Sequence, residues 1–174
     1  MINKQRARGL PTAALPDGHP NPRGSIMSSA KETIIIGCDH AAYALKENLK
    51  AYLLELGFDI EDVGAFGPES VDYPDYGRQV ATQVSQGRYR RGILLCGTGL
   101  GMSMVANRYP GVRAALCHDL FGTAMSRKHN DANILVIGGR VTGDILAREI
   151  VKTWLETPFE GGRHQRRLDM FQSL

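Results

Sequence analysis

Side chains able to move protons or hold anions stand in this chain where apolar runs give way to glycine-rich or helix-starting segments. The run RGILLC over 91–96 passes into Gly97-Thr98-Gly99-Leu100-Gly101-Met102-Ser103. Glycines at 97, 99 and 101 let the backbone turn sharply and aim N–H groups inward, where an anionic oxygen could be held. Cys96 lies at the mouth of this nest. A thiol beside a helix N-terminus can have its pKa lowered from about 8.5 toward neutrality, which suits a general base. The competing reading is a small buried hydrophobe at a strand end. That reading is taken for Cys38 and Cys117, whereas the adjoining glycines tip Cys96 toward function. The loop is not a dinucleotide fingerprint, because its third glycine falls one residue early and no acidic residue ends the next strand. Nor is it a Walker A loop, since no Gly-Lys-Ser/Thr follows.

Three further segments carry chemistry. Gly37-Cys38-Asp39-His40 ends the first apolar run and opens a helix. Asp39 is explained as well by helix N-capping as by catalysis, but capping does not account for His40. Ser126-Arg127-Lys128-His129-Asn130-Asp131 reads as a polar loop, in which a single His is more often a surface residue than a catalyst. Gly138-Gly139-Arg140 closes the fifth apolar run and places an Arg at the same sheet edge as Cys96. Near the C-terminus, Arg163 and Arg167 would share one helical face at i and i+4, suited to gripping a phosphate. A solvated basic terminus explains that pair equally well.

The elements that must position these residues alternate regularly from Thr33. TIIIGC (33–38), FDIEDV (58–63), RGILLC (91–96), VRAALC (112–117) and NILVIG (133–138) read as strands. Most are unbroken apolar runs, as expected for a parallel sheet covered on both faces. Leu45, Leu49, Leu53 and Leu56 keep helical spacing before Gly57, and Leu146, Ile150, Val151 and Trp154 do so before Pro158. The alternation predicts a doubly wound, five-stranded parallel sheet in a Rossmann-like α/β/α sandwich. Ligands of such sheets bind beyond the carboxyl ends of the strands.

Of the 174 residues, the first 26 hold Lys4, Arg6, Arg8 and Arg23 against Asp17, which accounts for the whole net charge of +3. The neutral remainder argues against a nucleic-acid-binding domain. No apolar run approaches the roughly 20 residues of a membrane-spanning helix. Three cysteines without CxxC spacing argue against a disulfide framework or structural zinc and for a reducing compartment, the cytoplasm. Residues 1–26, with Pro11, Pro16, Pro20 and Pro22 and no apolar periodicity, are expected to be a disordered extension ahead of a single domain over 27–174. Met27 is a plausible translation start, a reading favoured together with a dispensable tail over a targeting segment.

Taken in order, GCDHAAYALKENL, DYPDY, CGTGLGMSMVANR, SRKHNDANILVIGGR and FEGGRHQRR resemble the type B ribose-5-phosphate isomerases, across residues 33–168. Their wider group includes galactose-6-phosphate and allose-6-phosphate isomerases. The resemblance implies an aldose–ketose isomerase that needs no metal or cofactor and works through an enediolate. By matching position, Cys96 is the base moving the proton between C1 and C2. A subset of the family uses a Glu six residues on, where this chain has Met102. Thr98 matches the residue assisting at the sugar oxygens, and the N–H groups around Gly97, Gly99 and Gly101 would form an oxyanion hole. Asp39 and His129 match the ring-opening pair, with Asn130 beside them. His40, Arg140, Arg163 and Arg167 match the phosphate set, and Tyr73 lines the sugar site. The family shares its sites between subunits, so a homodimer or homotetramer is expected, with the C-terminal helix reaching a partner. Chain length of the sugar is left open, with a tetrose or hexose phosphate as the alternative substrate, and a non-catalytic phosphate- or nucleotide-binding module on a similar sheet is the alternative from another class.

Overall fold

The computed structural model describes residues 31–172. The readings of residues 1–26 as disordered and of Met27 as a start lie outside the described residues. The described chain runs β1 (Thr33–Cys38), a 3-10 turn (His40–Ala42), α1 (Tyr43–Glu55), β2 (Asp59–Asp62), α2 (Tyr73–Ser85), β3 (Arg91–Cys96) and α3 (Leu100–Ala106). It continues through β4 (Ala114–Leu116), α4 (Leu120–Lys128), β5 (Ile134–Gly138), α5 (Asp144–Glu156) and α6 (Arg163–Gln172). All five strands are parallel, in the order β2-β1-β3-β5-β4. The expected doubly wound sheet is present.

Unbroken apolar runs become a two-faced core because successive strand residues point to opposite sides. Ile34 and Ile36 of β1, Ile93 and Leu95 of β3, and Leu135 and Ile137 of β5 pack with Leu45, Leu49 and Leu53 of α1 and Ile150, Val151 and Trp154 of α5. The alternate residues Ile35, Leu94, Cys96, Ile134 and Val136 meet Val80, Ala81 and Val84 of α2 and Met102 and Ala106 of α3. Full burial of each such aliphatic side chain stabilises by about 1.5–3 kcal/mol. Both outer strands are shorter than the sequence suggests. β2 pairs only with β1, and its alternating exposed and half-buried residues mark an edge. β4 pairs with β5 through only Ala114, Ala115 and Leu116, leaving Val112, Arg113 and Cys117 of the expected run outside the strand.

One expectation is corrected. Ser126, Arg127 and Lys128 belong to α4, with His129 as its C-cap, rather than to a polar loop. The buried positions of α4 are Thr123, Ser126 and Arg127. An apolar repeat is therefore missing where a helix face is buried, and the segment reads as a loop.

Candidate active site

The chain leaves β1 toward β2 on one side and leaves β3 toward β4 on the other, so the carboxyl ends of β1 and β3 flank a crevice. Backbone hydrogen bonds close its floor. Asp39 N–H donates to the Leu95 carbonyl at 3.2 Å, Gly139 N–H to that of Cys96 at 2.8 Å, and Arg140 N–H to that of Gly97 at 2.9 Å. Three strand ends thereby bring Asp39, Cys96 and Arg140 to one edge. Cys96, 5% exposed, accepts a hydrogen bond on Sγ from Gly99 N–H at 3.2 Å. Gly99 has φ +81°, a left-handed conformation that side chains disfavour, and this bend carries the loop back over the sulfur. Thr98 is exposed, its Oγ1 3.4 Å from Leu100 N–H.

Arg140 and Tyr73 border the loop. A Cβ on Gly97 would lie 3.6 Å from Arg140 Cδ, and one on Gly101 would meet the Tyr73 ring at 2.6 Å. The Tyr73 phenol thus rests where Gly101 lacks a side chain, while the Arg140 stem lies at ordinary contact distance from Gly97. Asp39 caps the 3-10 turn, its Oδ1 accepting from Ala41 N–H at 3.0 Å, so the capping explanation holds for that residue. His40 Nδ1 lies 3.2 Å from the Val71 backbone N–H, which donates to it, and as far from the Val71 carbonyl oxygen.

The other residues singled out lie at the opposite edge. α4 starts beyond the carboxyl end of β4 and runs back, so its C-cap His129, followed by Asn130, sits at the amino end of β5. A sheet with strands of five or six residues is on the order of 15–20 Å high, more than any side chain spans. The His129 ring stacks on His164 of α6, with centroids 4.2 Å apart and planes 9° from parallel. Glu160 Oε2 is 3.6 Å from His164 Nε2 and 4.0 Å from His129 Nε2. Its backbone N–H donates to the Lys128 carbonyl at 3.1 Å, fastening the start of α6 to the end of α4. Arg163 and Arg167 are exposed on α6, as the helical spacing predicts. Within one chain, then, Asp39, His40, Tyr73, Cys96, Thr98 and Arg140 converge. His129, Asn130, Arg163 and Arg167 form a second group elsewhere.

The sequence reading passed over His164 and Glu160, although both lie in the FEGGRHQRR segment that was singled out. Stacking needs the end of α4 beside the start of α6, a contact across 35 positions that no local pattern encodes. Among the described residues, His129, Glu160 and His164 also form the one group whose ligand atoms, within 4.8 Å of each other, could hold a metal ion. Near-parallel stacked rings cannot both point their in-plane lone pairs at one ion, so this arrangement does not fit a metal without ring rotation. Burial pushes the Cys38 thiol up to about 11 and raises that of Cys117, in keeping with their reading as packing residues.

Known proteins carry the same arrangement of sequence and fold. The family model described as Ribose/Galactose Isomerase matches residues 34–171. The chain is 44% identical over 141 residues to ribose-5-phosphate isomerase B of Escherichia coli, covering 81% of this chain and 95% of that protein. It is also 44% identical over 132 residues to D-erythrulose-4-phosphate isomerase of Pectobacterium atrosepticum, covering 75% of this chain and 86% of that protein. The crystal structure of a ribose 5-phosphate isomerase from Thermotoga maritima superposes with a TM-score of 0.80 at 52% identity, over 82% of this chain and 99% of that one. Because the matched stretch takes in the whole sheet and both groups of polar residues, this chain belongs to the ribose/galactose isomerase family.

Proposed function

We propose that this chain interconverts D-ribose 5-phosphate and D-ribulose 5-phosphate through an enediolate. The observation that carries the reading is Cys96 Sγ held inside the glycine loop, with Arg140 lying over Gly97. Sγ takes the proton from C2 of the open-chain aldose and returns it to C1, while Thr98 assists proton movement between the sugar oxygens. Negative charge on the enediolate is stabilised by N–H groups around Gly97, Gly99 and Gly101. Asp39 and His129 open the furanose ring, Asn130 and Tyr73 position the sugar, and His40, Arg140, Arg163 and Arg167 bind the phosphate. Cations a sugar's length from the base fix C1 and C2 against the thiol.

This assignment requires His129, Asn130, Arg163 and Arg167 from a second copy, because they lie a sheet's height from Cys96 in their own chain. A homodimer or a larger homo-oligomer, with α6 contributing to the neighbour's site, follows. The cytoplasm is the compartment proposed, in keeping with three free cysteines. No helix among the described residues is long and apolar enough to cross a membrane.

Purified protein incubated with ribose 5-phosphate and assayed for ketose tests the reading. Turnover is expected, and its absence in well-folded protein overturns the substrate assignment. The similarity to an erythrulose-4-phosphate isomerase supports a second reading, in which a tetrose phosphate is preferred. Comparing kcat/KM for four-, five- and six-carbon sugar phosphates decides between them.

A further inference from the structure

At the amino-terminal edge of the sheet, away from Cys96, lies a cavity of about 170 Å³ lined by Arg90, Arg91, Arg113, Arg127, Asp131 and Asn133. A second cavity of about 310 Å³ shares Arg90, Arg91, Arg127 and Asp131 and continues to Pro158 and Phe159. Four guanidiniums in one wall repel each other unless matched. Three carboxylates stand against them among the described residues: Glu32 pairs with Arg91 at 2.6 Å, Asp131 is shared by Arg113 at 2.8 Å and Arg127 at 2.9 Å, and the exposed Glu156 lines the larger cavity. One positive charge is left in excess.

The N–H groups are also unequally used. Arg91 directs Nε and Nη2 to Glu32 and Nη1 to the Leu155 carbonyl. Arg113 spends its donors on Asp131 and on the Gly111, Asn130 and Asp131 carbonyls. Arg127 is 6% exposed and gives Nη1 to the Ala132 carbonyl, yet its Nε–H is buried without a partner. Nearby, with the Arg127 guanidinium 5.8 Å from the Trp154 ring centroid, the indole Nε1–H is likewise buried and unpartnered. Leaving a buried donor unsatisfied costs about 1–3 kcal/mol. Trp154 lines neither cavity, so the orphan that bears on them is the one on Arg127, a donor lacking an acceptor. Burial draws the Arg127 pKa down, Asp131 pushes it up, and the Arg91 and Arg90 charges draw it down again, so added negative charge here relieves strain of one sign.

We propose that this cavity is a binding site for a small oxyanion, inorganic phosphate or the phosphate group of a monoester, held by the Arg127 side chain and the exposed Arg90 guanidinium. Arg91 and Arg113, already engaged, supply field rather than hydrogen bonds. The site is separate from the phosphate set proposed for catalysis, none of whose residues line it. Its walls include Asp131, two residues after His129, and Pro158 and Phe159, which precede Glu160. An anion there therefore braces the two segments that carry the His129–Glu160–His164 cluster.

Inorganic phosphate titrated calorimetrically into full-length protein tests this, using wild type, Arg90→Glu and the milder Arg90→Ala. Both variants change an exposed side chain, and circular dichroism checks their fold. Wild type is expected to bind one phosphate more per chain than Arg90→Glu, with Arg90→Ala weakening that site at least tenfold. Equal stoichiometry and affinity in all three proteins overturns the site. Crystals soaked in phosphate give the second readout: oxyanion density in the cavity between Arg90 and Arg127 is expected, and a water molecule alone there overturns the proposal. Neither readout involves sugar turnover, so failure of the isomerase assignment and failure of this one are told apart.

Discussion

Cys38 and Cys96 end neighbouring parallel strands, yet their sulfurs have different surroundings. Cys38 faces the α1–α5 core, where its Sγ donates to the Ala65 carbonyl at 4.0 Å and burial pushes the thiol up to about 11. Cys96 instead receives an N–H from a glycine loop open to the crevice. Cys96→Ala is expected to lower kcat by about 10²–10⁴-fold, the usual contribution of a positioned base, with unchanged circular dichroism. Cys38→Ala should keep kcat within a few-fold; an equal loss in both would move the base away from Cys96. Gly101→Ala is predicted to raise KM several-fold at nearly constant kcat, because the new methyl meets the Tyr73 ring proposed to line the sugar. The glycine loop around Cys96 is the part most legible in sequence, since glycine spacing around a cysteine is a local signal. The partners of His40 were not legible: Val71 lies 31 positions away in a loop with no pattern of its own.

Single ion pairs join elements whose mutual placement sets the crevice. Lys46 of α1, fully buried, donates to Asp62 at 2.7 and 2.8 Å and to the Ala65 carbonyl at 2.8 Å, tying the end of β2 to α1. Asp62→Ala leaves the buried Lys46 ammonium only the partly exposed Glu47 carboxylate at 3.3 Å and is expected to cost about 1–3 kcal/mol in urea unfolding. Burial alone would raise the Asp62 pKa, but hydrogen bonds from Lys46, Lys50 and Gly64 N–H outweigh it and hold the carboxyl below its ordinary 3.8. The bond from Arg91 likewise holds Glu32 below 4.5 against burial. Both groups have depressed folded pKa values, so their stabilisation is complete above the ordinary values and is lost as pH falls through the folded ones. Unfolding free energy should therefore decline below about pH 4.5, and less steeply in Asp62→Ala, as measured by urea midpoints across pH. α4 shows why some elements escape a reading from sequence. Its buried positions are occupied by Thr123, Ser126 and Arg127, which need partners supplied by the rest of the fold.

The molecule as a whole keeps the two sets of proposed site residues a sheet apart, a separation that makes the proposed shared site testable. Cys96→Ala and His129→Asn are each expected to be nearly inactive alone. Mixed, unfolded and reassembled as dimers, they should recover about a quarter of wild-type activity, because half the dimers are mixed and each of those has one intact site of two. No recovery in chains shown to have exchanged would confine the site to a single subunit.

The sequence by itself determined the parallel α/β sheet, the strands that end at Cys38, Cys96 and Gly138, and the convergence of Asp39, Cys96 and Arg140. All of these follow from apolar runs and from turn residues adjacent along the chain. Tertiary structure alone decided that His129 is a helix cap stacked on His164, and that it lies at the edge opposite Cys96. It also gathered four arginines around a cavity with an unpartnered buried donor. The physical reason is range. Local patterns record which face of an element is buried, whereas these features arise where segments distant in sequence meet, through polar side chains that carry no periodicity.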